Sequence, residues 1–167
     1  MRTMKAVYPG SFDPVTTGHV DIIERAAEIF GGLVVAVAVN LEKEPLFSAS
    51  ERVQLLREAC SHLPNVQVDY FDGLLVDYVK SQDARIVIKG LRALSDFEFE
   101  FQMALMNKRL DERVETLFMM TNADYLFLSS RMVKELAELG ASVNGLVPEG
   151  VEKHLLKKLK HSAGGTQ

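Results

Sequence analysis

Cysteine is nearly absent from this chain of 167 residues, in which Cys60 is the only one. A single cysteine cannot close an intramolecular disulfide, and it excludes a metal site built from several cysteines. Cys60 falls on the apolar side of a predicted helix over residues 52–61. This placement indicates a buried thiol and not a nucleophile.

Long apolar runs and an excess of positive charge are missing too. The longest apolar run, residues 33–39, is far too short to span a bilayer, and the first eight residues have no hydrophobic segment of the signal-peptide type. We therefore expect a cytoplasmic protein that does not bind membranes. The formal net charge of −4 disfavours broad contact with a nucleic-acid backbone, so an anion site must come from a local cluster of basic residues.

Several well-known catalytic patterns are also absent. The sequence contains neither G-x-x-x-x-G-K-[ST] nor G-x-G-x-x-G, the two common nucleotide-binding loops, and it has no H-E-x-x-H or other clustered metal-ligand spacing. No Ser/His/Asp or Cys/His set is placed for covalent catalysis, although chain order alone does not exclude one. We therefore predict no metal site built by the protein itself.

Strand-like and helix-like segments alternate along the chain, which predicts βαβ units and a parallel sheet. Right-handed crossovers then give a Rossmann-like α/β fold: a doubly wound, five-stranded parallel sheet with flanking helices and a C-terminal helix. We expect one domain over residues 1–160 and a disordered tail over residues 161–167. Strands are predicted at 6–8, 33–39, 66–71, 84–89 and 116–120, and helices at 19–30, 48–61, 74–81, 96–110, 129–139 and 148–160.

The predicted helix over residues 96–110 is apolar on two sides. A helix with two apolar faces usually contacts more than its own sheet, so we predict a subunit interface on it. Ser95-x-x-Glu98 is interpreted as the capping box that starts this helix, as Ser48-x-x-Glu51 is for an earlier one. One apolar stripe comprises Phe97, Phe101, Ala104 and Leu105, and the other Phe99, Met103 and Met106.

A turn-rich loop follows the first predicted strand. Residues 9–14 contain two prolines and a glycine, which predict a sharp, irregular connection to the next helix. Thr16-x-Gly18-His19, a motif of the T/H-x-G-H pattern, opens that helix, and helix N-termini favour anions because their N–H groups are unpaired. The loop is therefore a candidate phosphate site. The alternative is that His19 only caps the helix while Gly18 permits a tight turn.

Polar and basic residues follow or end several predicted strands. The carboxyl ends of parallel strands meet at one edge of the sheet, where ligands of open α/β sheets bind. We therefore expect these cations, hydroxyls and helix N-termini to surround a polyphosphate on which charge builds up. They are Ser11 and His19 after the first strand, Lys43 after the second, Lys89 and Arg92 around the end of the fourth, and Ser129, Ser130 and Arg131 where a late helix begins.

Transfer between two phosphate groups fits both this set and the missing motifs. An acceptor phosphate is already ionised at neutral pH, so it needs no general base. The protein has only to align the reactants and to stabilise charge at the phosphorus under attack.

The chain contains, in this order, the motifs Tyr8-Pro9-Gly10-Ser11-Phe12-Asp13-Pro14, Thr16-x-Gly18-His19, Lys43-x-Pro45-Leu46-Phe47, Lys89-Gly90-Leu91-Arg92, Asp96-Phe97-Glu98-x-Glu100 and Leu128-Ser129-Ser130-Arg131-x-Val133-Lys134. With these motifs, residues 5–159 resemble the bacterial phosphopantetheine adenylyltransferases of the nucleotidyltransferase superfamily. The resemblance implies transfer of the adenylyl group of ATP to 4′-phosphopantetheine, giving dephospho-CoA and pyrophosphate, by in-line attack of the acceptor phosphate on the α-phosphate. It also implies Mg²⁺ as cofactor and a homohexamer.

The same resemblance assigns roles to individual residues. His19 would stabilise the transition state at the α-phosphate, and Lys43 and Arg92 would be further catalytic residues. The acceptor would be bound by Ser11, Lys43, Leu75 and Lys89. The nucleotide would be bound by Ser11, Phe12, His19, Gly90, Leu91, Arg92, Glu100, Tyr125, Leu126, Phe127, Leu128, Ser129, Ser130 and Arg131. Physical reasoning from the residues supports the charged members but gives no independent support for Leu75 and Glu100.

Three positions depart from the usual family pattern. Ser11 stands where threonine is common, which keeps the hydroxyl. Lys89 stands where arginine is usual, which keeps the charge but loses a bidentate fork. Arg131 replaces a small hydroxyl residue, which removes the usual hydroxyl from the nucleotide contact and places there a guanidinium that could itself meet a phosphate.

Two other functions stay open from the sequence. An adenylyltransferase acting on nicotinate mononucleotide, or a cytidylyltransferase, would more often carry histidine in place of Thr16. A nucleotide-binding module without catalysis, with flavodoxin-like topology, would make His19 and Arg92 incidental. Pyrophosphate release from ATP, measured with each acceptor in turn, separates the three.

Overall fold

The computed structural model describes residues 4–39 and 44–163. Within these ranges five parallel strands form one sheet in the order β3-β2-β1-β4-β5. These five strands follow the Rossmann order 3-2-1-4-5 and not the flavodoxin-like order 2-1-3-4-5, so the predicted fold class is confirmed. The strands are β1 Lys5–Gly10, β2 Gly32–Ala38, β3 Val66–Phe71, β4 Ile86–Leu91 and β5 Glu115–Met120.

All six predicted helices are present. The last one continues three residues beyond its predicted end, so residues 161–163 are helical and not part of a disordered tail. Residues 164–167 lie outside the described ranges, and within those ranges no helix has the length and apolar character needed to cross a membrane. The helices are α1 Thr17–Ile29, α2 Ala49–Ala59, α3 Leu75–Ser81, α4 Leu94–Leu110, α5 Ser130–Glu138 and α6 Glu149–Ala163, with a 3₁₀ turn at Ala123–Tyr125.

The side chains of β1 alternate between two buried layers, as the period of two in a strand requires. Ala6 and Tyr8 belong to a core cluster with side chains of α1, α2, α5 and α6, whereas Val7 belongs to a second cluster with side chains of α3. Cys60 lies in the first cluster and is 4% exposed. Burial raises the pKa of its thiol to about 11. The interpretation of Cys60 as a buried thiol is therefore confirmed.

Pro9 and Gly10 belong to β1 and not, as predicted, to the connection that follows it. A central strand tolerates proline poorly, because proline has no N–H to donate to a neighbouring strand. β1 pairs with β4 only at Ala6 and Val7, whereas it pairs with β2 along its whole length. Pro9 thus lies where β1 and β4 have already separated, and this separation opens a cleft between them.

The two predicted capping boxes have different outcomes. Ser48 is the N-cap of α2, its side chain accepts a hydrogen bond from Glu51 N–H, and Glu51 bonds back to Ser48 N–H, as predicted. The Ser95-x-x-Glu98 box is wrong, because α4 begins at Leu94 with Ala93 as its N-cap and without a side-chain cap. The connection between β4 and α4 is two residues long, so the helix begins earlier than predicted, almost directly after the strand.

Candidate active site

A cavity of about 750 Å³ opens where β1 and β4 separate, at the carboxyl ends of the strands. This is the point of an open α/β sheet at which the chain order reverses and ligands bind. Among the predicted site residues it is lined by Ser11, Phe12, His19, Leu75, Lys89, Gly90, Arg92, Glu100, Tyr125, Leu128, Ser129 and Ser130.

His19 has both the capping role and the site position that the sequence left as alternatives. Thr16 is the N-cap of α1, and its hydroxyl accepts a hydrogen bond from His19 N–H at 3.3 Å. Thr16 N–H in turn donates to the His19 Nδ1 at 3.0 Å. Because Nδ1 accepts this bond, the proton of the neutral ring is assigned to Nε2. The capping box therefore selects a tautomer whose Nε2–H can serve as a donor in the cavity.

The environment keeps the imidazole of His19 neutral. Burial, reinforced by the positive charge of Arg92, lowers the His19 pKa from its ordinary value of 6.5 to about 4. The edge of the Phe12 ring also packs against the imidazole, with the ring centroids 5.0 Å apart. At neutral pH His19 is therefore a neutral hydrogen-bond donor and not a cation.

We expect this lowered pKa to make folding stability depend on pH. Above pH 6.5 the ring is neutral in both the folded and the unfolded chain, and between pH 6.5 and pH 4 only the unfolded chain binds the extra proton. The free energy of unfolding should fall on acidification through this window by up to about 1.4 kcal/mol per pH unit. Urea unfolding at pH 7, 6 and 5 measures the slope. His19→Asn should be less steep by this amount, and equal slopes for both proteins would contradict the pKa.

Each of the two cations that line the cavity in the described part of the chain lies next to a carboxylate of α4. Lys89 Nζ forms an ion pair with Glu100 Oε2 at 3.3 Å, although this buried oxygen has no hydrogen-bond partner among the described residues. Arg92 Nε donates a hydrogen bond to Asp96 Oδ2 at 3.1 Å. Arg92 also donates to the backbone oxygen of Leu128 at 2.9 Å, which ties it to the segment before α5. The site is therefore a set of oriented ion pairs, and a bound phosphate would compete with these carboxylates for the cations.

The start of α5 lies at the same cavity. Ser129 is the N-cap of this helix and accepts a hydrogen bond from Met132 N–H, which leaves the positive end of the helix dipole beside the cavity. Gly18 approaches the neighbouring 3₁₀ turn closely, because a Cβ built on it would lie 3.3 Å from the Cβ of Tyr125. A side chain at position 18 would push these two walls of the cavity apart.

Four of the predicted site residues that the structure describes do not line the cavity, and a fifth, Lys43, is not among the described residues. Leu91 is 8% exposed at the end of β4, and Leu126 and Phe127 are 46% and 59% exposed beyond the cavity lining. The Arg131 side chain is 88% exposed, forms an ion pair with Glu135 and is not part of the cavity lining.

The cavity also has an apolar end, of which the family resemblance predicted Leu75 alone. Phe99, Met103 and Met106, one of the two apolar stripes of the helix on which a subunit interface is predicted, line this end of the cavity. Asn107, which is 7% exposed, is a further lining residue that no motif indicated. The only further signal in the sequence was the second apolar stripe of α4, which was as compatible with a partner subunit as with a ligand. The remaining wall consists of Phe71, Leu74, Leu75 and Leu110.

The described residues contain no group of three or more His, Cys, Asp or Glu side chains able to hold a metal ion. Asp96 and Glu100 are the acidic side chains of the cavity lining, and both are engaged by basic residues. In the part of the chain that is described, the side chains therefore do not fit a metal site built by the protein.

Comparison with known proteins gives close relatives and a distant structural neighbour. Residues 7–136 match the model of the cytidylyltransferase-like family. The phosphopantetheine adenylyltransferase of Caldanaerobacter subterraneus subsp. tengcongensis is 56% identical over 94% of this chain and 98% of its own length, and that of Dictyoglomus turgidum is 55% identical over the same shares. The crystal structure of a Vibrio parahaemolyticus protein assigned as a nicotinate-nucleotide adenylyltransferase superposes with a TM-score of 0.68 over 94% of each chain. At 18% identity this last likeness concerns the fold alone.

Proposed function

The chain belongs to the phosphopantetheine adenylyltransferase family of nucleotidyltransferases, and on that premise we propose that it transfers the adenylyl group of ATP to 4′-phosphopantetheine. A phosphate oxygen of the acceptor attacks the α-phosphorus of ATP, and the bond from that phosphorus to the β-phosphate bridge breaks. The products are dephospho-CoA and pyrophosphate. Because the reaction consumes ATP, we place it in the cytoplasm.

The observation that carries this proposal is a neutral His19, with Nε2–H available, in the same cavity as Lys89 and Arg92. Charge grows on the oxygens of the α-phosphate during in-line attack, and a preorganised donor stabilises it without removing a proton. His19 serves as this donor, while Arg92 and the start of α5 bind the nucleotide phosphates. The acceptor phosphate is ionised at neutral pH, so no general base is required.

The two ends of the cavity suit the two parts of the acceptor. Its phosphate belongs at the polar end, where Ser11 and Lys89 lie, and its pantetheine arm belongs along the apolar wall with Leu75 and Met103. Ligand sites are commonly apolar with a few placed polar groups, and this cavity has that composition. Lys43 completes the proposed acceptor site on the strength of the family resemblance alone.

Mg²⁺ is implied by the family resemblance, but the described side chains do not form a site for it. Mg²⁺ commonly binds substrate phosphates and retains several waters, so it would enter bound to ATP and neutralise phosphate charge. No step described here depends on a protein ligand to the metal.

Pyrophosphate release from ATP tests the proposed function. We expect release with 4′-phosphopantetheine and none above background with nicotinate mononucleotide, and mass spectrometry should identify dephospho-CoA. Release with nicotinate mononucleotide alone would assign the chain to a different acceptor. No release with either would favour a nucleotide-binding module without catalysis.

We also propose that the protein is a homohexamer, as the family resemblance implies, and that the stripe of α4 that does not line the cavity contributes to its interface. Phe97, Phe101 and Leu105 of this stripe are 39%, 45% and 56% exposed. Burying such side chains is favourable by about 1.5–3 kcal/mol each, so Leu105→Glu should weaken assembly at least about tenfold. Sedimentation velocity at micromolar concentration measures this, and Ile29→Glu, at an exposed position of α1, is the control. A wild-type monomer would contradict the proposal.

A further inference from the structure

Asp13 is a buried charged residue in the loop between β1 and α1, and none of the roles above uses it. Its side chain is 1% exposed. Its Oδ1 accepts a hydrogen bond from Phe47 N–H at 2.8 Å, and its Oδ2 accepts one from Leu46 N–H at 2.9 Å. Lys134 Nζ donates to the same Oδ2 at 2.9 Å. A carboxylate that accepts three bonds, one from a charged donor, is held firmly in one position.

Lys134 brings this carboxylate into contact with α5. Its side chain is 22% exposed, so the ion pair with Asp13 is partly shielded from solvent. One turn earlier in α5, the Ser130 hydroxyl donates to the backbone oxygen of Pro14 at 2.7 Å. Helix α5 is thus attached at two points to the loop between β1 and α1.

Arg52 of α2 holds the same loop from its other end. Its side chain is 2% exposed, and one guanidinium nitrogen donates to the backbone oxygens of Ser11 at 2.9 Å and Ala38 at 3.3 Å. Arg52 Nε is buried and has no hydrogen-bond partner among the described residues. Two charged side chains, both almost fully buried, therefore fix the loop on either side of Phe12.

Phe12 needs this support because its backbone is in the left-handed region, with φ of +48°. A residue with a bulky side chain adopts that region only where its surroundings impose it. The Phe12 ring is 2% exposed and packs edge-on against His19, with centroids 5.0 Å apart, and against Tyr8 at 5.4 Å. The conformation of the loop thus sets the wall against which the imidazole rests.

We infer that Asp13 and Lys134 are positioning residues: their ion pair holds the loop that seats Phe12 and, through Phe12, orients the imidazole of His19. Neither residue touches the reacting atoms in this account. The expected loss of kcat rests on the proposed function, whereas the expected change in the orientation of the His19 imidazole does not. Asp13 and Lys134 therefore act on the reaction through the geometry of one ring.

The kinetic test uses the full-length protein with Lys134→Met. Catalysis is sensitive to small displacements of a catalytic group, so kcat should fall roughly ten- to a hundredfold while KM for ATP changes less than about threefold. Lys134→Arg, which keeps a charged donor, should restore much of the lost kcat. Lys153→Met, an exposed lysine of α6, is the control and should retain the wild-type kcat.

A double-mutant cycle separates positioning of His19 from a general loss of structure. If Lys134 acts through His19, then Lys134→Met should cost less than about twofold in kcat when added to His19→Ala. Losses that multiply in full would overturn the inference, as would a wild-type kcat for Lys134→Met. If Lys134→Met does not fold, Lys134→Gln keeps a neutral donor, and the same cycle is made with it.

Imidazole NMR provides a readout that needs no turnover. The His19 ring signals, assigned by their loss in His19→Ala, should shift in Lys134→Met and remain in place in Lys153→Met. Unshifted signals would overturn the inference even if the enzyme is active as proposed. A wild-type protein that releases no pyrophosphate would instead refute the proposed function, and the NMR comparison alone would then decide on Asp13 and Lys134.

Discussion

Replacing His19 with alanine should lower kcat by about 10²–10³-fold and change KM for ATP far less, because a donor to developing charge is needed most in the transition state. The residue lies in the cavity with its Nε2–H assigned by the capping box, so its loss removes a preorganised donor. Steady-state kinetics with ATP and 4′-phosphopantetheine measure the split between kcat and KM. Equal losses in both would mean that His19 only binds the nucleotide.

The capping role of His19 has to be separated from its catalytic role. His19→Ala leaves Thr16 N–H without the ring acceptor, which should cost about 1 kcal/mol of stability. Thermal unfolding of the variant measures this, and the kinetics should be run well below its midpoint. His19→Asn retains an amide donor and should have an intermediate kcat. An asparagine variant as inactive as the alanine variant would mean that the position of the imidazole Nε2–H, and not donation alone, decides the rate.

Replacing Arg92 with methionine should lower kcat/KM for ATP by roughly 10²–10³-fold, because charge-assisted bonds to a phosphate would be lost and Asp96 would be left unpaired beside the cavity. In the structure Arg92 bonds to Asp96 and to the backbone oxygen of Leu128. Arg92→Lys keeps the charge without the planar fork and should recover only part of the loss. The measurement is kcat/KM for ATP at saturating acceptor.

A matched control for Arg92 exists on α1. Arg25 also bonds to a carboxylate four residues away, Asp21, and to a backbone oxygen, that of Met120, but it is not part of the cavity lining. Arg25→Met should leave kcat/KM for ATP within about twofold of wild type. An equal loss in both variants would show that Arg92 acts through stability alone. Arg92→Met should also raise the His19 pKa, since the Arg92 charge helps to lower it.

The fold could be predicted from the sequence because its signals are local. The run of valine and alanine in β2 and the Ser48 capping box of α2 each determine their element without distant partners. Element boundaries were less certain: the prolines of the first loop suggested an early end to β1, yet Pro9 fits in the strand because pairing with β4 has stopped. The capping box at Ser95 failed because the short connection after β4 starts α4 earlier.

Only the part of the site that lies at the carboxyl ends of the strands could be predicted from the sequence. His19, Lys89 and Arg92 were brought together by topology alone, since parallel strands end at one edge of a sheet. The ion pairs of Lys89 with Glu100 and of Arg92 with Asp96 were not predicted. Which side chains of α4 reach these two cations depends on the rotation of the helix about its axis. The same rotation turned one apolar stripe of α4 towards the cavity, which sequence spacing alone could not decide.

The narrow pairing of β1 with β4 divides the sheet into two blocks. β1, β2 and β3 pair over at least six positions each, and β4 with β5 does so as well, whereas two residue pairs join the blocks. Local unfolding should therefore begin between β1 and β4. A nucleotide bound across these two strands would link the β1–β3 block to the β4–β5 block. A nucleotide bound between β1 and β4 should therefore stabilise the sheet where its own strand pairing is least extensive.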